Sequence, residues 1–306
     1  MKPEPPTDSL RRVRVLVNPK SGLGFSFDSF WGIVEEQFGP FGADVSYQFS
    51  RDVADGRRKA ESAVRDGVDA LIVVGGDGMV NSIGSALVGT PVALGVVPTG
   101  SGNGFARHFG IPLDLPGAVR ALARSRRRAI DVGAANGRPF FVTCSLAWDA
   151  AIVRGFEAFP FRGIVPYVFA AASELIAYEP QPFEVALDGK PAQVFADPVI
   201  FTLANLTQYG GGAQIAPQAR SDDGQMEMVV VLRQDLPLVL VNVARLFNGT
   251  LDRLPQVLTR RFRTLTVRRR RATPIQLDGE LVEAGAEVEI RLLPQTLSVL
   301  VPEEAR

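Results

Sequence analysis

The chain has 306 residues, 46% of them hydrophobic, and a formal net charge of zero. That length fits one large domain or two, and the hydrophobic share is too high for a disordered chain. The charge balance gives no reason to expect a nucleic-acid partner, and a single cysteine, Cys144, excludes an internal disulfide framework and suits a reducing compartment.

In chain order, Met1 to Asp8 is polar and proline-rich and lacks the apolar core of a signal peptide. From 10 to about 130, short apolar runs alternate with amphipathic stretches. Strands are predicted at 13–17, 44–49, 70–74 and 92–97, and helices at 26–38, 53–66, 79–87, 103–108 and 116–124. Such alternation predicts a parallel sheet covered by helices, with ligands bound beyond the carboxyl ends of its strands.

Three of those strand ends carry turn residues suited to a phosphate. Val13 to Val17 runs into Asn18-Pro19-Lys20-Ser21-Gly22, and Ala70 to Val74 into Gly75-Gly76-Asp77-Gly78. The run at 92–97 ends in Pro98-Thr99-Gly100-Ser101-Gly102-Asn103-Gly104. Glycine lets backbone N–H groups approach a ligand closely, and helix starts add further unpaired N–H donors. One such turn is weak evidence, but three in order describe a phosphate cradle. Asp77, inside the second, can hold a metal ion or a proton near the phosphates.

After Asp131 the pattern changes. Strands are predicted at 138–145, 182–188, 198–204, 226–232, 263–269, 274–277 and 287–292, with helices at 164–178 and 237–247. This reads as a β-rich second domain, a sandwich, and residues 296–301 form a last strand free to join either domain. The arginine-rich run from Arg260 to Arg271 alternates polar and apolar residues over 263–268, as a strand with one solvated basic face does. No stretch of about 20 apolar residues is free of charge or proline, so no spanning helix is predicted; the nearest, Gly163 to Tyr178, contains Pro166 and Glu174.

Acid–base chemistry must fall to carboxylates. His108 is the only histidine and reads as a surface or packing residue, and Cys144 sits in an apolar run. Asp278-Gly279-Glu280 follows an apolar strand and by itself reads as a turn. Ser221-Asp222-Asp223-Gly224 reads from spacing alone as a polar loop, although adjacent carboxylates also suit a hard cation such as Mg²⁺.

Together these motifs resemble the diacylglycerol kinase catalytic-domain family, which includes bacterial diacylglycerol kinase-like lipid kinases and sphingosine kinases. The resemblance spans nearly the whole chain, including Ile130-Asp131-Val132-Gly133, Trp148-Asp149-Ala150 and Tyr209-Gly210-Gly211-Gly212. It implies an α/β nucleotide-binding domain of the NAD kinase and phosphofructokinase type over 10–130, rejoined by 296–306, and a β-sandwich lipid-substrate domain over 131–295. It implies transfer of a phosphoryl group from MgATP to a lipid hydroxyl by a cytoplasmic protein peripheral to the membrane, with homodimerisation left open. ATP contacts would come from Asn18, Pro19, Lys20, Ser21, Gly22, Ser50, Gly75, Gly76, Asp77, Gly78, Met79, Val80, Asn81, Ser101, Gly102 and Asn103. Glu280, with Asp278, would match the proton acceptor, and Asp77 would join them in catalysis. Asp223 and the carbonyls of Arg220 and Gln225 would match a Mg²⁺ site, and Asp149 a position near the lipid head group. The chain departs from the family where threonine and glutamate are common, with Met79 and Ser82, and it has Ala147-Trp148-Asp149 where Gly-Phe-Asp is commoner. Phe156 to Phe161 could either dip into a membrane interface or pack within the protein. A kinase acting on a soluble alcohol, or a catalytically silent lipid or nucleotide binder, would carry many of the same motifs.

Overall fold

Val15, Leu16 and Val17, and every residue of Ala70–Gly75 and Ala93–Pro98, are buried, as expected of parallel strands covered on both faces. In the computed structural model, which describes residues 10–19, 26–148, 150 and 178–303, these segments are β1 (Arg12–Val17), β3 (Ala70–Gly75) and β4 (Ala93–Pro98). With β2 (Asp44–Phe49) they form a parallel sheet in the order β2-β1-β3-β4. Lys20, Ser21, Gly22 and Asp149, the segment Phe156 to Phe161, and all of the predicted helix 164–178 but its last residue lie outside the described residues.

The covering helices follow their sequence signals. Helix α1 (Phe27–Phe38) buries Phe30, Val34 and Phe38, spaced four apart on one face, and Ser26 caps it by accepting the Ser29 N–H at 3.2 Å. Asp52 caps α2 (Val53–Arg65) and Asp114 caps α5 (Leu115–Ala123) in the same way. Each such cap contributes about 1 kcal/mol. Between them lie α3 (Asp77–Gly84) and the short α4 (Gly104–His108).

The chain divides into two compact units. One takes the described residues up to Asp131 and from Pro294 onwards; the other is Val132–Leu293. Strand β16 (Glu287–Pro302) serves both: Glu287 to Arg291 pair antiparallel in the second unit, and Val299 pairs parallel with Leu94 of β4 in the first. Two predicted strands, 287–292 and 296–301, are therefore one element, which passes through Pro294 and a left-handed Gln295 at φ 50° between its two paired stretches. Asp131 fixes the return by accepting the Gln295 N–H at 2.9 Å.

The second unit contains two sheets. One holds β8 (Phe183–Leu187), β9 (Gln193–Phe195), β13 (Thr264–Arg269) and the start of β16, all antiparallel. The other runs β12 (Leu258–Phe262), β11 (Met226–Leu232), β10 (Pro198–Ala204), β7 (Thr143–Ser145), β14 (Ile275–Leu277), β15 (Glu280–Val282). Phe183, Val185, Val267 and Ile290 from the first meet Phe201, Met226, Met228 and Phe262 from the second in one core, a β-sandwich. The alternate residues of β11, Val229 and Val231, face a second apolar cluster with Leu236, Val239 and Leu251. Strand β5 (Ser125–Ala135) ends in a hairpin with β6 (Arg138–Phe140). Where one helix was predicted at 237–247 there are two short ones, α6 (Leu236–Val241) and α7 (Ala244–Phe247).

The arginine run is dispersed into individual roles. Arg268 pairs with Glu287 at 2.7 Å, whereas Arg269 is buried and donates to Thr273 Oγ1 and the carbonyls of Thr273 and Gly285. Burial pulls the Arg269 pKa down.

Candidate functional site

In the first unit the parallel register brings the ends of the strands level. Val17 pairs with both Phe49 and Val74, and Gly75 with Pro98. Main-chain bonds continue past the strands: Asn18 N–H reaches Val74 O, Ser50 N–H reaches Val17 O, and Thr99 N–H reaches Gly75 O at 3.1 Å. Asn18, Ser50, Gly76 and Thr99 therefore stand along one edge. The Ser50 hydroxyl is buried and donates to Val17 O, so it closes that edge.

The two glycine turns meet backbone to backbone. A Cβ on Gly100 would lie 2.8 Å from the Gly76 Cα, closer than real side chains approach, and one on Gly76 would lie 3.2 Å from the Gly100 Cα. Gly75 is equally constrained, because the Met79 side chain occupies the space a Cβ would need, with Sδ at 2.6 Å. Met79 is thus a packing partner of the turn. Asn103 adopts φ 51° and binds Gly100 twice, accepting its N–H at 3.0 Å and donating to its carbonyl at 2.8 Å.

Asp77 links the turns. Its two oxygens accept the N–H groups of Gly104 and Phe105 at 3.2 and 3.3 Å, across 27 and 28 residues of sequence. Burial raises its pKa, opposed by those N–H donors and by the charge of Arg107. Arg107 Nε donates to the Gly102 carbonyl at 3.1 Å, a clamp that no motif signals. Gly78, Val80, Asn81, Ser101 and Gly102 lie on or beside these turns, Val80 donating its N–H to Gly76 O. His108 packs edge-on against Phe109, with ring centroids 4.7 Å apart.

In the second unit, Asp278 and Gly279 have φ of 48° and 94°, and Leu277 pairs with Glu280. This is the two-residue hairpin that Asp-Gly favours. Asp278 is buried, and its carboxylate accepts N–H groups from Phe141, Val142 and Thr143 at 2.7, 2.7 and 3.0 Å. Three main-chain donors to one carboxylate make it an anchor, so the geometry gives Asp278 a positioning part beside the proton transfer expected of it. Asn205, fully buried, steadies the same segment by donating to Phe141 O at 2.9 Å. A lone asparagine closing an apolar strand was the signal for it. Glu280 projects from the hairpin, and desolvation raises its pKa. A carboxylate so placed can accept a proton.

The acidic turn at 221–224 does not fit the cation expected of it. Asp223 accepts the Gln225 N–H at 3.2 Å with one oxygen and pairs with the Arg261 guanidinium through the other. Arg220 lies 3.7 Å from Asp222, and Arg263 Nε donates to Gly224 O. A divalent ion at Asp223 would have to displace a guanidinium, so Arg220, Asp223 and Gln225 are read here as an arginine-clamped turn. Trp148 is buried in the apolar cluster with Val199, Ile215 and Val229, where it serves as core.

Residues 12–135 match the diacylglycerol kinase catalytic domain, and 143–301 match the YegS C-terminal NAD kinase beta sandwich-like domain. A diacylglycerol kinase of Mycobacterium tuberculosis is 30% identical over 298 residues, 95% of each chain. The chain belongs to the diacylglycerol kinase catalytic-domain family. Another relative, a probable lipid kinase YegS-like protein of Yersinia pestis, is 26% identical over 85% of this chain and 88% of its own. A putative diacylglycerol kinase structure from Bacillus anthracis superposes with a TM-score of 0.79 at 20% identity, over 95% of this chain and 97% of that one, a likeness of fold. The chain carries both matched domains, and none of its helices, among the described residues, is long and apolar enough to cross a membrane.

Proposed function

We propose that this protein is a lipid kinase, transferring the γ-phosphoryl group of MgATP to a hydroxyl of a lipid of the diacylglycerol or sphingoid-base class, from a membrane surface. The observation that carries the reading is the contact of Gly76 with Gly100 at the level strand ends, tied together by Asp77. Side chains are excluded there, so a ligand that lies along this edge meets main chain rather than side chains, which suits a polyphosphate. Family membership supplies the acceptor class. In this reading the unit with the parallel sheet binds the nucleotide and the unit Val132–Leu293 presents the lipid.

The acceptor oxygen bonds to the γ-phosphorus as the bond to the β–γ bridging oxygen breaks. ADP leaves, and the hydroxyl proton passes to Glu280. Such transfers depend chiefly on position and charge stabilisation. Asp77 holds the two phosphate turns in register, and Asp278 holds the hairpin that carries Glu280. Burial raises the Glu280 pKa toward the working range of a base.

The test is phosphate transfer from ATP across lipid classes in mixed vesicles, with products identified by mass spectrometry. Glu280→Gln is expected to keep ATP binding and lose about 10²–10⁴-fold in transfer rate. Wild-type activity should fall in acid as Glu280 protonates, at a pH above the ordinary glutamate range. Transfer only to a soluble alcohol, or ATP binding with no transfer to any lipid, would overturn the reading.

A further inference from the structure

The α6–α7 segment points to a membrane contact. Leu238, Val241, Val243 and Phe247 are 52, 84, 48 and 57% exposed, a concentration of large apolar side chains at the surface. Other residues of the segment and of its C-terminal flank are spent on the core: Leu236, Val239 and Leu251 are buried with Val229 and Val231. The exposed residues are therefore surplus to folding. A patch of this kind marks an interaction site.

Charge narrows the partner. No Asp or Glu occurs from Leu236 to Leu251. Arg233, Arg245 and Arg253 lie in and beside this stretch, and among the described residues none of them is in an ion pair. Arg233 and Arg253 are exposed, whereas Asp235 and Asp252 are part-buried. Apolar side chains flanked by unpaired arginines suit the interface of an anionic bilayer. Two polar groups of the segment are bonded within the unit. Asn242 Nδ2 donates to Leu238 O at 2.9 Å, and Leu246 O accepts the Gln214 N–H at 2.7 Å, which moors α7 to the body of the unit.

We propose that Leu238, Val241, Val243 and Phe247 insert into the headgroup region of an anionic membrane, with Arg233 and Arg253 resting on its phosphates. The proposal rests on the lipid-acceptor reading, because a protein that takes its substrate from a bilayer must reach it there.

The experiment is co-sedimentation with phosphatidylcholine vesicles with and without phosphatidylglycerol, on the full chain. Wild type is expected to bind the anionic vesicles more tightly, with affinity falling as salt rises. Leu238→Asp with Val241→Asp should weaken binding at least about tenfold, and Arg233→Gln with Arg253→Gln should flatten the salt dependence. Phe247→Trp gives a second readout independent of those variants: its emission should shift to the blue on anionic vesicles. Transfer to a short-chain diacylglycerol dispersed in water should be unchanged in every variant. If the aspartate variant, folded by circular dichroism, binds vesicles like wild type and Phe247→Trp shows no shift, the proposal is overturned. It is equally overturned if the variant turns a dimer into a monomer without loss of vesicle binding, for a second copy then covers the patch. Vesicle binding lost in the variant while no lipid is phosphorylated by wild type would uphold the docking surface and remove the kinase reading instead.

Discussion

Gly100 is where a single methyl group decides whether the site exists. Its Cβ would fall 2.8 Å from the Gly76 Cα and 3.0 Å from Asn103 Oδ1. The first of these is backbone and cannot swing aside. Gly100→Ala must therefore push the two turns apart and misalign their N–H groups. The expected outcome is a folded protein whose ATP affinity falls at least about tenfold, since two weakened hydrogen bonds at about 1 kcal/mol each already exceed that. Isothermal titration with a non-hydrolysable ATP analogue checks it. Wild-type affinity in the alanine variant would mean the phosphates bind elsewhere. Met79 and Trp148 concern the same scale. Both depart from the family pattern, and both have a packing reason here: Met79 fills the space beside Gly75, and Trp148 joins an apolar cluster.

At the scale of elements, α2 is locked to the end of β2 by Asp55 and Lys59. Lys59 Nζ bonds Asp55 Oδ2 at 2.7 Å and also donates to Phe49 O, beside Ser50. The Lys59 bond, then the Arg51 N–H, depress the Asp55 pKa to about 2. A depressed carboxylate stabilises the fold above its unfolded pKa, about 3.9, and that contribution is lost as pH falls toward 2. Asp55→Asn should therefore lower the melting temperature at pH 6, and the difference from wild type should shrink between about pH 4 and 2. A gap independent of pH would show that Asp55 acts through shape alone. The turn at 221–224, ahead of β11, gives a second test. With Arg261 on Asp223, Mg²⁺ and a chelator should yield the same melting temperature for wild type in the absence of ATP, whereas Arg261→Ala frees Asp223 and should make the two differ. A wild-type shift with Mg²⁺ would restore the cation to this turn.

The same elements show how far the sequence could be read. β2, β10 and β11 lie at their predicted limits because alternation or a continuous apolar run marks them. β12 was missed because Arg260-Arg261 read as part of a charge run, while its backbone pairs with β11; β5, which opens on Ser125-Arg126-Arg127-Arg128, was not predicted at all. The glycine turns were legible because only glycine tolerates that approach. What holds them was not: Asp77 reaches Gly104 across 27 residues, and Asp278 reaches Phe141 across 137, through main-chain donors that leave no trace in residue type. Asp278 accordingly read as a turn residue that only the family resemblance linked to catalysis, and its three main-chain bonds went unseen.

At the scale of the whole molecule, the first unit depends on a strand that arrives after the second has been made. Leu297, Val299, Leu300 and Val301 of β16 are all buried, and a Cβ at Gly95 would lie 3.3 Å from the Leu300 Cδ1, so β16 packs directly on β4. The parallel sheet of the first unit is thus incomplete until β16 pairs with β4. Leu300→Ala removes buried methyls at that seam and should cost about 2–5 kcal/mol. The loss should fall on the unit proposed to bind ATP. In urea unfolding followed with and without MgATP, the transition that ATP raises is expected to move to lower urea, while the ATP-dependent gain persists because no phosphate-binding group has been touched. Phe201→Ala, in the sandwich core, serves as the contrast, since Phe201 is fully buried among residues of the second unit. Were Leu300→Ala to leave the ATP-sensitive transition where it is, β16 would be a passenger on β4, and the first unit would hold its nucleotide edge without the returning strand.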